Sequence, residues 1–295
     1  MNDAAPLVLT LVAQRDATVL DTARIARVRA AVAGGMPDLL SPGEAADIPL
    51  ARAPEPAALA AALDDAAIDA FVLPAAGRRK QVLIADMDST IVTGETLDEL
   101  AAFAGLGEQI AAITKRSMNG ELDFSEALRA RVAMLKGLDL AALERTWEGV
   151  RFMPGARELV ATMRAHGATT ALVSGGFTFF TGRVAQALGF SVHRANILLD
   201  DGRALTGAVA EPILDRDAKL AALRELAAAR GIGLEATLAV GDGANDLAML
   251  GAAGLGIAYH AKPIVASSAR WRVEHGDLRA LLFVQGYRAA EFAVP

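Results

Sequence analysis

Two rhythms of apolar residues alternate along the chain. Short uninterrupted runs at 7–13, 68–73, 82–85, 169–173, 236–240 and 254–258 predict strands, several of them rich in Val and Ile. Between them, apolar positions return every three to four residues over 18–32, 57–63, 96–104, 108–117, 124–135, 140–148, 155–167, 177–188 and 217–230. That period predicts helices, and Gly-Gly, Asn-Gly or a single Gly stands at many of their ends. Asp201-Gly202 between alternating runs in 192–210 is a hairpin signal.

Strands that alternate with helices imply a mostly parallel, doubly wound α/β sheet with right-handed crossovers. Residues 1–77 read as an α+β amino-terminal domain, tied by the polar link Ala75 to Lys80 to a second domain spanning 78–295. Four helical patterns in succession, within about 93–152, form an insertion that starts a few residues after Thr90. Such an insertion should sit over the end of the 82–85 strand as a lid.

The chemistry gathers where three strands end. After 82–85 come Asp86-Met87-Asp88-Ser89-Thr90, after 169–173 Ser174-Gly175-Gly176, and after 236–240 Gly241-Asp242-Gly243-Ala244-Asn245-Asp246. In an open parallel sheet the carboxyl ends of the strands share one edge, where ligands bind. In an extended chain Asp86 and Asp88 point to one side, and two carboxylates that close repel unless a cation or a shared proton intervenes. A polar turn would use the same residue types. Ser174 with the amides of Gly175 and Gly176, read as a helix amino terminus, offers donors to an anion, although a tight turn would also use glycine there. The 241–246 loop superficially matches a dinucleotide fingerprint, but Asp replaces its third glycine and Asp242 would repel a pyrophosphate. Those acids suit Mg²⁺, a hard ion held by carboxylates, waters and substrate phosphate. Lys219, in the first turn of the 217–230 helix, is the neighbouring cation, and by itself it also reads as a solvated lysine.

Composition narrows the classes. The 295 residues are 53% hydrophobic and 5% aromatic, with a net charge of −6 and no basic stripe, which argues against nucleic acid or an anionic membrane as partner. The absence of cysteine excludes disulfides, thiolate ligands and a cysteine nucleophile. The four histidines are scattered and form no metal-spaced pair. No apolar run reaches the roughly twenty residues of a membrane span, so the expectation is a soluble, cytoplasmic protein.

Taken in order, the 86–90 segment, Ser174-Gly175-Gly176, Lys219 and the 241–246 loop resemble the four motifs of the haloacid dehalogenase superfamily. Glu95, seven residues after Asp88, and Met118, Phe124 and Arg131 in the insertion resemble its phosphoserine phosphatase branch, over about 80–286. The resemblance implies a HAD-like Rossmann-like sheet with a small helical-bundle cap, and Mg²⁺-dependent hydrolysis of O-phospho-L-serine through an aspartyl-phosphate. It implies Asp86 as nucleophile and Asp88 as acid and base. Asp86, the main-chain carbonyl of Asp88 and Asp242 would hold the metal, with Asp246 behind them. Ser174, Gly175, Lys219 and Asn245 would serve the phosphate, Glu95 the substrate amino group and Arg131 its carboxylate, while Met118 and Phe124 exclude water. Another small phosphomonoester is the alternative substrate, and a non-catalytic sensor the alternative class. The first 77 residues resemble, more loosely, an ACT-like regulatory extension, which by analogy suggests a regulatory role or a homodimer.

Overall fold

Among the residues described by the computed structural model, 6–118 and 122–293, the chain forms three sheets. The amino-terminal part runs β1 (Leu7–Ala13), α1 (Thr22–Ala31), β2 (Asp38–Ser41), β3 (Ala45–Leu50), α2 (Pro56–Leu63) and β4 (Ile68–Pro74). Its antiparallel sheet has the order β2-β3-β1-β4, the split βαββαβ arrangement. Strands β2 and β3 are additions to the sequence reading. Pro49 is compatible with strand β3 because pairing with β2 ends at Asp47, which leaves no neighbour there to need its N–H.

Alternate residues of β1 serve two cores. Leu9 and Leu11 pack with Ile25 and Val28 of α1, whereas Val8 and Val12 share a cluster with Phe71, Leu73 and residues of the second sheet, Leu83 and Ala85 among them. Burial on both faces explains why 7–13 is apolar at nearly every position rather than every second one.

Strand β5 (Val82–Ala85) opens the second part and is followed by the inserted helices α3 (Thr96–Ala102), α4 (Gly107–Met118), α5 (Phe124–Met134) and α6 (Ala141–Gly149). A Val92↔Phe152 bridge closes the neck of the insertion. Next come α7 (Ala156–Ala165), β6 (Thr169–Phe177), α8 (Thr178–Leu188), β7 (Val192–Asn196) and the hairpin β8 (Leu198–Asp200) with β9 (Leu205–Val209). The chain ends through α9 (Arg216–Ala229), β10 (Thr237–Gly241), α10 (Leu247–Ala252), β11 (Leu255–Tyr259), α11 (Pro263–Ser268), β12 (Trp271–Val273) and α12 (Ala280–Val284). Helix starts follow local chemistry. Asp123 accepts the Glu126 amide at α5, and Asp215 accepts the Asp217 and Ala218 amides at α9, each satisfying donors that the first turn cannot.

The six strands β12-β11-β10-β5-β6-β7 are all parallel. One face (Val82, Ile84, Val173, Ala239) packs on Leu223 and Leu226 of α9 and Met249 of α10. The other face (Leu83, Leu172, Val240) packs on Leu159 and Met163 of α7 and Phe180 of α8. From β5 the chain first fills the β6 side and then returns to fill the β10 side. The strand order therefore reverses between β5 and β10, the place where such sheets open a crevice for ligands.

Candidate active site

Asp86 and Asp242 leave the sheet side by side at this reversal, with the Asp86 amide donating to the Val240 carbonyl at 3.0 Å. A cavity of about 570 Å³ opens above them, lined by Asp86, Asp88, Glu95, Phe124, Arg131, Ser174, Gly175, Asp242, Asn245 and the unforeseen Lys262. Lys219 and Asp246 lie behind that wall, 1% and 0% exposed. Met118 ends α4, and its side chain lies outside the described residues.

Lys219 links two carboxylates: its Nζ is 2.8 Å from Asp86 Oδ1 and 2.6 Å from Asp246 Oδ1. Asp246 also accepts the Gly243 amide at 3.0 Å, so its second oxygen is engaged as well. Burial pushes the Asp246 carboxyl up to about 7 against the pull of Lys219, with the Asp86 charge adding to the rise. Burial alone would lower the Lys219 pKa, but Asp246 and Asp86 outweigh it and hold the ammonium above its ordinary range. Lys219 is thus a fixed cation.

Carboxylate oxygens of Asp86, Asp242 and Asp246 lie within 4.8 Å of one another, all three residues buried. Burial raises the Asp242 pKa and the Asp86 charge raises it further, so a cation would relieve this group. Hard oxygen donors at this density suit a hard divalent ion. Asp246 has both oxygens on Lys219 and Gly243 and does not line the cavity, so Asp86 and Asp242 are the pair that would face an ion there. Thr90 Oγ1 donates to Asp242 Oδ1 at 3.2 Å, and Lys262 Nζ stands 3.1 Å from Oδ2.

Asp88 differs from Asp86 in its surroundings. Burial, then the nearby Glu95, holds its carboxyl well above the usual range, while the Thr96 amide, donating to Oδ1 at 2.9 Å, pulls the other way. That direction favours the protonated carboxyl that a general acid needs. Glu95 accepts from Ser89 Oγ at 2.9 Å and faces Lys262 Nζ at 3.7 Å.

Ser174 and the two glycines correct one expectation: they lie inside β6, and α8 begins only at Thr178. The end of a strand rather than a helix start therefore presents them to the cavity. Ser174 Oγ accepts the Gly176 amide at 2.9 Å, and Asn196 Nδ2 holds the Gly175 carbonyl at 2.9 Å. Both glycines are closely approached: a Cβ on Gly175 would lie 2.9 Å from Phe124 Cζ of the cap and one on Gly176 3.0 Å from Asp88 Oδ2, so either addition would make a site side chain shift.

Arg131 on α5 is only 8% exposed, and burial lowers its pKa against the opposing charges of Asp98, Glu95 and Asp88. Its Nε donates to the Ala127 carbonyl at 3.2 Å and its Nη1 to Thr114 Oγ1 at 3.0 Å. Lys262 is the group that the sequence reading passed over. It follows β11, a fourth strand ending on the same edge, and that position was the available signal.

The sequence model of the haloacid dehalogenase-like hydrolase family matches residues 83–251, from β5 into α10. The chain belongs to this family. Among relatives of this hydrolase, the phosphoserine phosphatase of Streptomyces coelicolor is 42% identical over 242 residues, covering 80% of this chain and 59% of the relative. That of Streptococcus thermophilus is 44% identical over 199 residues, covering 68% of this chain and 93% of the relative. A solved phosphoserine phosphatase, described as a phospho-aspartyl intermediate analogue, superposes with a TM-score of 0.66 at 41% identity, over 70% of this chain and 98% of that one. The chain spans 55–60% of the length of the first curated relatives it matches. Among the described residues, no helix of this hydrolase is long and apolar enough to cross a membrane.

Proposed function

We propose that this hydrolase cleaves O-phospho-L-serine to L-serine and phosphate. The observation that carries the reading is the buried Arg131, which makes no ion pair among the described residues and lines the same cavity as Asp86 and Asp88. A guanidinium held out of water awaits an anion, and its planar fork matches a carboxylate. Glu95, in the same cavity, supplies the opposite charge that an α-amino group would need. The relatives named phosphoserine phosphatase support the same substrate.

In this reading Asp86 attacks phosphorus and the seryl oxygen departs with a proton from Asp88. The aspartyl-phosphate is then hydrolysed by water whose proton Asp88 takes back. Lys219, Ser174 and the Gly175 amide balance the charge on the transferring group, where catalysis is mostly positioning and electrostatics, and Asn245 orients the phosphate. Phe124, closing on Gly175, keeps water from the cavity. Mg²⁺, held by Asp86, Asp242 and the main-chain carbonyl of Asp88, would supply further charge neutralisation at the phosphoryl oxygens. The outer face of the amino-terminal part, formed by α1 and α2, is the surface left for an ACT-like regulatory or dimerising contact. Composition favours a cytoplasmic protein with no nucleic-acid partner.

Phosphate release from a panel of phosphorylated amino acids, sugars and aryl phosphates, with Mg²⁺ and with excess chelator, tests this. Preference for phosphoserine and loss of activity in chelator are expected. Equal rates across the panel would make the chain a general phosphomonoesterase, and no release from any member would make it a sensor.

A further inference from the structure

Two polar groups of the cap to which the reaction gives no role, the buried Thr114 and the partly buried Asp98, form a chain with Arg131. Asp98 lies in the first turn of α3, Thr114 (6% exposed) on α4 and Arg131 on α5. Arginine only donates and an ionised carboxylate only accepts, so the polarity of the chain is fixed. Arg131 Nη1 donates to Thr114 Oγ1 at 3.0 Å, and the one hydroxyl proton of Thr114 goes to Asp98 Oδ1 at 3.0 Å. With Nε on the Ala127 carbonyl at 3.2 Å, two of the three guanidinium nitrogens are anchored. Among the described residues Nη2 makes no hydrogen bond.

That arrangement is informative because a simpler one was open to the same residue types. A direct Asp98–Arg131 ion pair would satisfy the buried charge and would also occupy the fork that must receive a ligand. The interposed hydroxyl passes on orientation and part of the attraction while keeping the carboxylate one bond away. Thr114 and Arg131 both line the cavity, the side from which a ligand would reach the guanidinium. We propose that Thr114 and Asp98 are positioning residues that set substrate specificity, holding the Arg131 guanidinium with one edge open for the substrate carboxylate. The proposal rests on the phosphoserine reading above and deepens it.

The test is steady-state phosphate release by the full chain from O-phospho-L-serine and from O-phosphoethanolamine, which lacks only the carboxylate. The readout is the ratio of the two kcat/KM values. Thr114→Val keeps the shape and deletes the hydroxyl. It should lower the ratio by about tenfold to a hundredfold, as expected for a hydrogen bond to a charged group, chiefly through KM for phosphoserine. Thr114→Ser retains the hydroxyl and should keep the ratio within about threefold. Asp98→Asn, which can still accept the bond but carries no charge, should give a smaller loss in the same direction. Arg131→Ala serves as reference. If it abolishes the ratio while Thr114→Val preserves it, the positioning role is overturned and the phosphoserine reading stands. If Arg131→Ala itself leaves the ratio unchanged, both fall. Equal loss on the two substrates in Thr114→Val, or no rescue by Thr114→Ser, would mean that the hydroxyl merely holds the cap together.

Discussion

Asp86 and Asp88 are two residues apart, yet their surroundings assign them different work, and substitution should separate them. Asp86→Asn keeps shape and loses the nucleophile, so turnover should vanish while the circular dichroism spectrum stays native. Asp88→Asn should cost about 10²–10⁴ in kcat, the range for a positioned acid or base. Burial and Glu95 raise the Asp88 pKa, so the acid form needed by the leaving group survives to higher pH than in an ordinary carboxyl. Activity should therefore fall as pH rises through that value, and the alkaline limb of the pH–rate profile should be absent in Asp88→Asn. A profile that keeps this limb in the variant would move the acid role elsewhere. Residues of this kind were legible because they sit at strand ends, where sequence order alone brings them to one edge. Lys262 also follows a strand but lacks a motif around it, and the partnership of Asp98, Thr114 and Arg131 exists only once three helices have packed.

At the scale of elements, the cap is tied down at a second place besides its neck. Hairpin β8–β9 reaches back to the turn between α5 and α6. The Gly137 amide donates to the Leu205 carbonyl at 2.8 Å, the Leu205 amide to the Leu138 carbonyl at 2.9 Å, and the Leu140 amide to the Arg203 carbonyl at 3.0 Å. Gly207 in β9 has φ +80°, and a Cβ there would lie 2.8 Å from Lys136 Cβ. Gly207→Ala combines a left-handed backbone with a clash and should destabilise by about 1–3 kcal/mol. Urea denaturation checks this, and an unchanged midpoint would show that the hairpin does not brace the cap. The hairpin and the cap helices follow from Asp201-Gly202 and from regular 3.6-residue periodicity. Strands β2, β3 and β12 did not: β12 is three residues long, and β3 is interrupted by Asp47 and Pro49, whose fitness for a strand depends on where β2 stops pairing. Ser174 to Gly176 read as a helix start because glycine after a buried strand usually marks a turn, whereas they form an irregular stretch of β6 that pairs with β7 again at Phe177.

For the whole molecule the question is whether the amino-terminal part folds as a separate unit. The polar link at 75–80 suggested a boundary, but the inner face of the first sheet (Val8, Val12, Phe71, Leu73) is buried in the same cluster as the central sheet. Polar contacts follow the same surface. Arg78 ion-pairs with the buried Asp47, bonds Thr10 at 2.8 Å and reaches the carbonyls of Val284 at 2.9 Å and Phe283 at 3.1 Å. Asp69 accepts the amides of Glu274 at 2.8 Å and Gly276 at 2.7 Å. A shared core cannot be lost by one part alone, so unfolding should be a single cooperative transition. Trp271 provides a local reporter, because its Nε1 donates to the Val72 carbonyl across the junction at 3.1 Å. The chain has two tryptophans, and Trp147→Phe leaves Trp271 as the only one. In that variant, urea curves followed by fluorescence and by far-UV circular dichroism should share one midpoint. Arg78→Met strands Asp47 as an unpaired buried carboxylate, which should cost about 3–5 kcal/mol and move both curves together. If Trp271 responds at lower urea than the circular dichroism, the first 77 residues detach before the rest unfolds, and the shared-core account is wrong.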